Sequence, residues 1–117
     1  MNESVTIYHN SRCSKSRQTL ALLEERGISP VVIRYLDEPP DAATLKRLLS
    51  RLGRTPRELM RTGEARYREL RLDDPALSDD ELIDAMVGNP ILIERPIVVT
   101  ARGAALGRPP ENVLEIL

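Results

Sequence analysis

The residues with the clearest chemical potential are the only cysteine and the only histidine of the chain, Cys13 and His9, which stand four positions apart. An alternating apolar segment precedes Cys13, and a helix-like segment, 16–26, follows it. A loop between a strand and a helix faces the free backbone N–H groups and the positive dipole end of that helix, which favour an anion. A thiol placed there ionises more readily than a free cysteine, whose pKa is ~8.5. The spacing therefore predicts a reactive thiolate at Cys13 that can also meet an anionic substrate.

Each of these two residues has an ordinary alternative role. A lone cysteine is often a small buried hydrophobic residue, and a histidine at the end of a strand is often a hydrogen-bonded structural group. The first alternative fits poorly, because Arg12, Lys15 and Arg17 are basic and the other neighbours of Cys13 are polar. His9 would stabilise the thiolate only if its ring reached the sulfur, and the sequence leaves that reach open.

Composition narrows the class of protein. A length of 117 residues predicts one domain, 1–117, and a net charge of −1 argues against a nucleic-acid or anionic-membrane binder. No apolar run approaches the ~20 residues of a membrane span, and the first four residues are too polar for a signal peptide. We therefore expect a cytoplasmic monomer. A single cysteine excludes an intrachain disulfide and a zinc-type cysteine cluster, so any reducing thiol must come from another molecule.

The elements that must position Cys13 follow from the pattern of apolar residues. Strand-like segments at 4–8 and 31–36 flank a helix predicted at about 14–26, which makes a right-handed β-α-β unit. The last third contains a strand at 97–100, a weaker strand at 104–107 that pairs back as a hairpin, and a short helix through Leu117.

Helix signals fill the middle of the chain, about 41–88. Asp41 can cap a helix that ends at Gly53, and capping boxes begin at Thr55 and Ser78. The whole order predicts an α/β fold with a thioredoxin-like mixed sheet, β-α-β … β-β-α, and a helical insertion in the middle. Arg95-Pro96 precedes the third strand, and analogy with thioredoxin-like folds favours a cis bond there.

The chain resembles the glutaredoxin-coupled arsenate reductase (ArsC) family, as a short-chain member, over nearly its whole length. Several separated motifs in the same order carry this resemblance. They are Thr6-Ile7-Tyr8-His9-Asn10 with Cys13, Ser16-Arg17, Arg57-Glu58-Leu59 with Arg61-Thr62, Leu82-Ile83-Asp84, Pro90-Ile91-Leu92-Ile93, Arg95-Pro96-Ile97-Val98-Val99-Thr100, Arg108-Pro109 and Val113-Leu114-Glu115-Ile116-Leu117.

The resemblance implies a role for each matching residue. Cys13 would be the nucleophile, His9 a histidine that favours the thiolate, and Ser16 a loop serine beside it. Arg61, Arg95 and Arg108 would bind the substrate, which selects three of the fifteen arginines. Guanidinium groups suit a tetrahedral oxyanion because they offer planar pairs of donors and stay charged.

The implied reaction is reduction of arsenate to arsenite. Cys13 attacks arsenic, glutathione attacks the adduct, and a glutaredoxin reduces the mixed product. Glutathione and glutaredoxin are then external reductants, and neither a bound cofactor nor a metal is expected. Arg12 and Lys15 depart from the smaller, less charged residues of better-known members, which bears on anion binding and selectivity.

Two other functions remain open from the sequence. Relatives of this fold act as regulators that bind RNA polymerase, usually through a two-cysteine switch that this chain lacks. Cys13-Ser14-Lys15-Ser16 also resembles a monothiol version of a C-x-x-C site, which is typical of a general glutathione-linked thiol oxidoreductase.

Overall fold

The computed structural model describes residues 4–117 and divides them into two compact units. One unit contains the described residues through Glu38 together with Arg95–Leu117, and the other is Pro39–Glu94. The first unit carries the β-sheet and Cys13, and the second is helical. A single domain over residues 1–117 therefore stays a prediction.

The first unit is built on a four-stranded mixed sheet. Its strands are β1 (Thr6–His9), β2 (Val31–Arg34), β3 (Ile97–Thr100) and β4 (Gly103–Leu106), in the order β2-β1-β3-β4. β1 pairs parallel with β2 and antiparallel with β3, and β3 pairs antiparallel with β4. The predicted β-α-β … β-β-α order of a thioredoxin-like fold is confirmed.

Helix α1 (Ser14–Glu25) crosses from β1 to β2 and begins directly after Cys13. Its buried face consists of Ser16, Thr19 and Leu23. Leu23 belongs to an apolar core with Val5, Ile7, Val98 and Val113. Leu20 packs against this core but is only partly buried, because the buried face of the helix carries residues 16, 19 and 23. Two of the three buried positions are polar, so hydrophobicity alone misplaces this face.

The chain after β4 returns towards Cys13. Arg95-Pro96 and Arg108-Pro109 are both cis, of which the first was favoured by analogy. The predicted C-terminal helix is a 3₁₀ helix, Pro110–Ile116, and it packs against α1 and β4. Pro110 and Val113 of this helix are buried, and Val113 belongs to the apolar core.

The second unit consists of α2 (Ala42–Leu52), α3 (Pro56–Leu59), α4 (Ala65–Glu69) and α5 (Asp79–Gly88), followed by a 3₁₀ helix, Pro90–Leu92. α5 packs against α2, α3 and the 3₁₀ helix. The predicted cap at Asp41 and the capping boxes at Thr55 and Ser78 are all present. No helix within residues 4–117 is long and apolar enough to cross a membrane.

Several element boundaries differ from the prediction by one or two residues, as in β1, which was predicted at 4–8, and two of these differences have a clear local cause. β2 ends at Arg34, because Tyr35 and Leu36 already belong to a turn in which the N–H groups of Asp37 and Glu38 bond to the Arg34 carbonyl. The hairpin turn is shorter than predicted, because Gly103 pairs with Thr100 and starts β4. Neither change moves the loop that holds Cys13.

Candidate active site

Cys13 occupies the N-cap position of α1, at the end of the loop that follows β1. The loop is a tight turn in which the Cys13 N–H donates to the Asn10 carbonyl at 3.0 Å. The Asn10 side chain accepts from the Arg12 N–H at 3.0 Å, which is the local bond that Asn typically makes in turns. The Arg17 guanidinium donates to the Ser11 carbonyl at 2.8 Å and holds the loop from the helix side. The sulfur is therefore presented at the helix N-terminus by a loop fixed at both ends.

The surroundings of Cys13 favour its thiolate. Burial acts to raise the pKa of the thiol, but the Ser16 N–H, the Arg95 side chain and the Lys15 N–H stabilise the anion and bring the pKa below its ordinary value. The backbone contribution is the effect expected of free N–H groups in the first turn of a helix. Arg95 supplies the positive charge that acts on the sulfur, whereas Arg17 is bonded to the loop carbonyl.

Arg95 and Arg108 converge on Cys13 from the other end of the sequence. Arg108 Nη1 lies 3.7 Å from Cys13 Sγ and 3.2 Å from the Arg95 carbonyl oxygen. Arg95 is buried, with 8% of its surface exposed, and Arg108 is exposed. The site therefore combines the buried guanidinium of Arg95 with the solvent-exposed guanidinium of Arg108.

His9 contacts Ser16, which is buried in the first turns of α1. Its Nδ1 lies 2.6 Å from Ser16 Oγ, and Ser16 Oγ also accepts the Asn10 N–H at 3.0 Å. Burial, followed by the charges of Arg34 and Arg17, lowers the pKa of His9 below its usual 6.5, so the ring is neutral at neutral pH. The Ser16 hydroxyl can then donate to Nδ1 while the ring proton stays on Nε2. A neutral His9 holds Ser16, whose N–H stabilises the thiolate, and contributes no charge itself.

Arg61 lies in the other compact unit, Pro39–Glu94. Its Nε is 3.2 Å from a carboxylate oxygen of Glu64, and its Nη1 is 2.7 Å from one of Glu94. Burial acts to lower the pKa of Arg61, but the charge of Glu94 and the bonds to both carboxylates raise it. The substrate-binding role of Arg61 stays a prediction.

Several residues that position the site were not singled out from the sequence. The Asn112 side chain donates to the Arg108 carbonyl at 3.1 Å, and Gly107 donates its N–H to the Pro96 carbonyl at 2.9 Å. A Cβ at Gly107 would overlap the Thr19 hydroxyl and lie 2.8 Å from Pro96 Cγ. Only glycine therefore fits at this position, between Thr19 and Pro96. The sequence signal that could have identified Gly107 is its position directly before Arg108-Pro109. Within residues 4–117, no cluster of three or more histidine, cysteine or carboxylate side chains forms a metal site.

Titration of Cys13 tests the electrostatics directly. We expect the rate of alkylation by iodoacetamide, followed against pH, to show a midpoint below the ~8.5 of a free cysteine, because the helix N–H groups and Arg95 stabilise the thiolate. The same titration in denaturant serves as the reference, since the unfolded chain lacks these contacts. Equal midpoints in the two titrations would contradict this description of the site.

Ser16→Ala tests the buried network. The change leaves the Asn10 N–H and His9 Nδ1 without their partner, which we expect to cost about 1–3 kcal/mol in the free energy of unfolding. Urea denaturation at pH 7 measures this loss. Ser14→Ala is the matched control, because Ser14 is exposed in the same helical turn. Equal losses in the two variants would refute the role given to Ser16.

The sequence of this chain matches a known protein family and several of its members. The model of the ArsC family matches residues 8–116. An arsenate reductase of Neisseria meningitidis is 49% identical over 97% of this chain and 97% of its own length. The uncharacterized protein YfgD of Escherichia coli is 58% identical over 100% of this chain and 99% of its own.

A solved structure shows the same fold. The arsenate reductase from Vibrio cholerae matches with a TM-score of 0.97 and 57% identity, and the match covers 100% of both chains. This match supports the assignment of the chain to the thioredoxin-like α/β fold.

Proposed function

This chain belongs to the ArsC family, and on that premise we propose that it reduces arsenate to arsenite with Cys13 as nucleophile and with glutathione and a glutaredoxin as reductants. The observation that carries the proposal is the position of the sulfur, at a helix N-terminus, stabilised by Arg95 and 3.7 Å from the Arg108 guanidinium. The arsenate reductases of Neisseria meningitidis and Vibrio cholerae, which resemble this chain at 49% and 57% identity, support the choice of substrate.

The arrangement addresses the main obstacle to the reaction, which is that thiolate and arsenate are both anions. Arg95 and Arg108 place positive charge beside the sulfur, and guanidinium donors match the oxygens of a tetrahedral oxyanion. The helix N–H groups stabilise the same region without changing protonation state. Attraction to these groups offsets the repulsion and holds arsenic within reach of Cys13.

The chemistry proceeds in two stages. The Cys13 thiolate forms a bond to arsenic(V), and one arsenate oxygen leaves as hydroxide or water. Glutathione then attacks arsenic in the adduct, and a second oxygen leaves as water. A glutaredoxin thiolate attacks the glutathione sulfur, the bond between that sulfur and arsenic breaks, and its electron pair reduces arsenic to the +3 state. Water then hydrolyses the bond between Cys13 and arsenic, and arsenite leaves. The two electrons come from the two external thiols, which become joined as a disulfide. The chain has one cysteine, so it cannot supply both sulfurs itself.

The test is a coupled assay of the purified protein with arsenate, glutathione and glutaredoxin, in which arsenite is measured directly. We expect arsenite formation that depends on all three additions and that phosphate, an oxyanion of the same shape, slows by competition. An absence of arsenite with a correctly folded protein and an alkylatable Cys13 would refute the proposal. Arg61→Ala in the same assay decides whether that arginine contributes to oxyanion use.

A general thiol–disulfide exchange activity is the second candidate, because an acidic monothiol at a helix N-cap is also suited to that chemistry. Such an enzyme would reduce the mixed disulfide of glutathione and 2-mercaptoethanol without arsenate. A protein that performs this reaction at a high rate and leaves arsenate unchanged belongs to the second class.

A further inference from the structure

A cavity of about 340 Å³ lies beside the Cys13 loop. It is bounded by residues 9–12 on one side and by Arg34, Leu36 and Asp37, at the end of β2, on the other. Its volume falls within the roughly 300–1,000 Å³ of small-molecule sites. Arg95 and Arg108 are not among its lining residues, so the cavity is distinct from the oxyanion site proposed above.

The charges of the cavity are available to a ligand. Arg12 and Arg34 line it and are both exposed, and within residues 4–117 neither side chain takes part in an ion pair or a hydrogen bond. Asp37 is exposed on the same wall. Arg34 also lies close enough to His9, another lining residue, for its charge to contribute, after burial, to the lowered pKa of that ring. The walls therefore carry two positive groups and one negative group.

We propose that this cavity binds the thiol co-substrate, a small peptide thiol that carries two carboxylates and one ammonium group, as glutathione does. Arg12 and Arg34 would bind the carboxylates and Asp37 the ammonium group, so the charges of ligand and cavity are complementary. The proposal rests on the proposed function, because it assigns a site to the reductant of that reaction.

The cavity lies beside the loop that ends at Cys13, although Cys13 itself is not among its lining residues. Arg12 is the neighbour of Cys13 in the chain, and adjacent Cα atoms are about 3.8 Å apart. The sulfur of a tripeptide thiol lies on its middle residue, so both charged ends are about one residue away from it. A ligand held by Arg12 and Arg34 through its ends brings its sulfur to the edge of the Cys13 loop.

A disulfide-exchange experiment tests the site without arsenate. The Cys13 thiolate attacks glutathione disulfide, the old S–S bond breaks, a Cys13–glutathione disulfide forms, and one glutathione thiolate leaves. The rate is measured by mass spectrometry and compared with the rate for bis(2-hydroxyethyl) disulfide, which carries no charge. We expect Arg34→Leu and Arg12→Ala each to slow the reaction with glutathione disulfide about tenfold and to leave the neutral disulfide unaffected.

The matched control is Arg26→Ala, because Arg26 is exposed in the same unit at the opposite end of α1. It should leave both rates unchanged. Iodoacetamide alkylation of each variant shows whether the acidity of Cys13 has changed, and circular dichroism shows that the variant is folded.

Two results would overturn the proposal. They are an unchanged rate with glutathione disulfide and an equal slowing with the neutral disulfide. An unchanged rate that is accompanied by a rise in the KM for arsenate would assign the cavity to the oxyanion instead. Because exchange needs no arsenate, the outcome is readable even if the chain fails to reduce arsenate.

Discussion

Cys13→Ser is expected to lower arsenate reduction by at least about 10⁴-fold, the scale on which removal of a catalytic nucleophile acts. A serine hydroxyl is not ionised near neutral pH, so the Ser16 N–H and Arg95 would have no anion to stabilise. The assay is arsenite formation with saturating glutathione and glutaredoxin. Ser14→Ala, which changes an exposed neighbour, should keep nearly full activity. Residual activity of Cys13→Ser within tenfold of the unchanged protein would exclude Cys13 as nucleophile.

The same variant should alter how stability depends on pH. The pKa of Cys13 is lower in the folded chain than in the unfolded chain, so between these two values the unfolded chain binds more protons. The thiolate therefore contributes stability that is fully present above the unfolded value of ~8.5 and is lost as pH falls through the folded value. In denaturant unfolding, the free energy of unfolding of the unchanged protein should increase relative to that of Cys13→Ser as pH rises through this window. A constant difference would show that the fold does not stabilise the thiolate.

Arg95→Ala is the second change with a large expected effect, a loss of about 10²–10³-fold in kcat/KM for arsenate. Arg95 is buried beside the sulfur, where it lowers the pKa of Cys13 by a hydrogen bond and by its charge. Its removal would take away one of the two proposed oxyanion partners and would lower the thiolate fraction of Cys13 at neutral pH. We therefore expect a second result as well, a rise in the alkylation midpoint of Cys13.

Two further variants separate charge from shape at this position. Arg95→Lys keeps the charge but loses the planar pair of donors, so it should restore much of the thiol acidity and less of the arsenate activity. Arg102→Ala is the matched control, because this exposed arginine lies in the β3–β4 turn and donates to the Leu117 carbonyl. If Arg95→Ala kept both the low alkylation midpoint and full arsenate turnover, Arg95 would have no part in the site.

Much of the backbone was predictable because its signals are local. Asp41 accepts the Thr44 N–H at 2.8 Å, and Gly53 ends the same helix with a φ of 67°, a left-handed conformation that glycine adopts without strain. The capping boxes at Thr55 and Ser78 form as their residue types require. Each of these features depends on residues within one or two turns of each other, which is the range in which sequence patterns are informative.

The buried polar network was not predictable in the same way. Ser16 and Thr19 lie on the inner face of α1, where apolar periodicity favours leucine. Ser16 is accommodated because Asn10 and His9 bond to its hydroxyl, and Thr19 because its hydroxyl bonds to the carbonyl oxygens of Lys15 and Gly107. A buried hydroxyl is tolerated only when such partners exist, and the partner at Gly107 is 88 positions away.

The sequence by itself determined where Cys13 stands, since a strand, a polar loop and a helix in succession place it at a helix N-terminus through neighbours in the chain. It also indicated the family, through motifs that keep their order. Only the tertiary structure decided which arginines approach the sulfur and that His9 contacts Ser16. Arg108 and Cys13 are separated by 95 positions, and their contact depends on how β1, β3 and β4 pair. Long-range pairing of this kind follows from the packing of the whole unit, which no local pattern specifies.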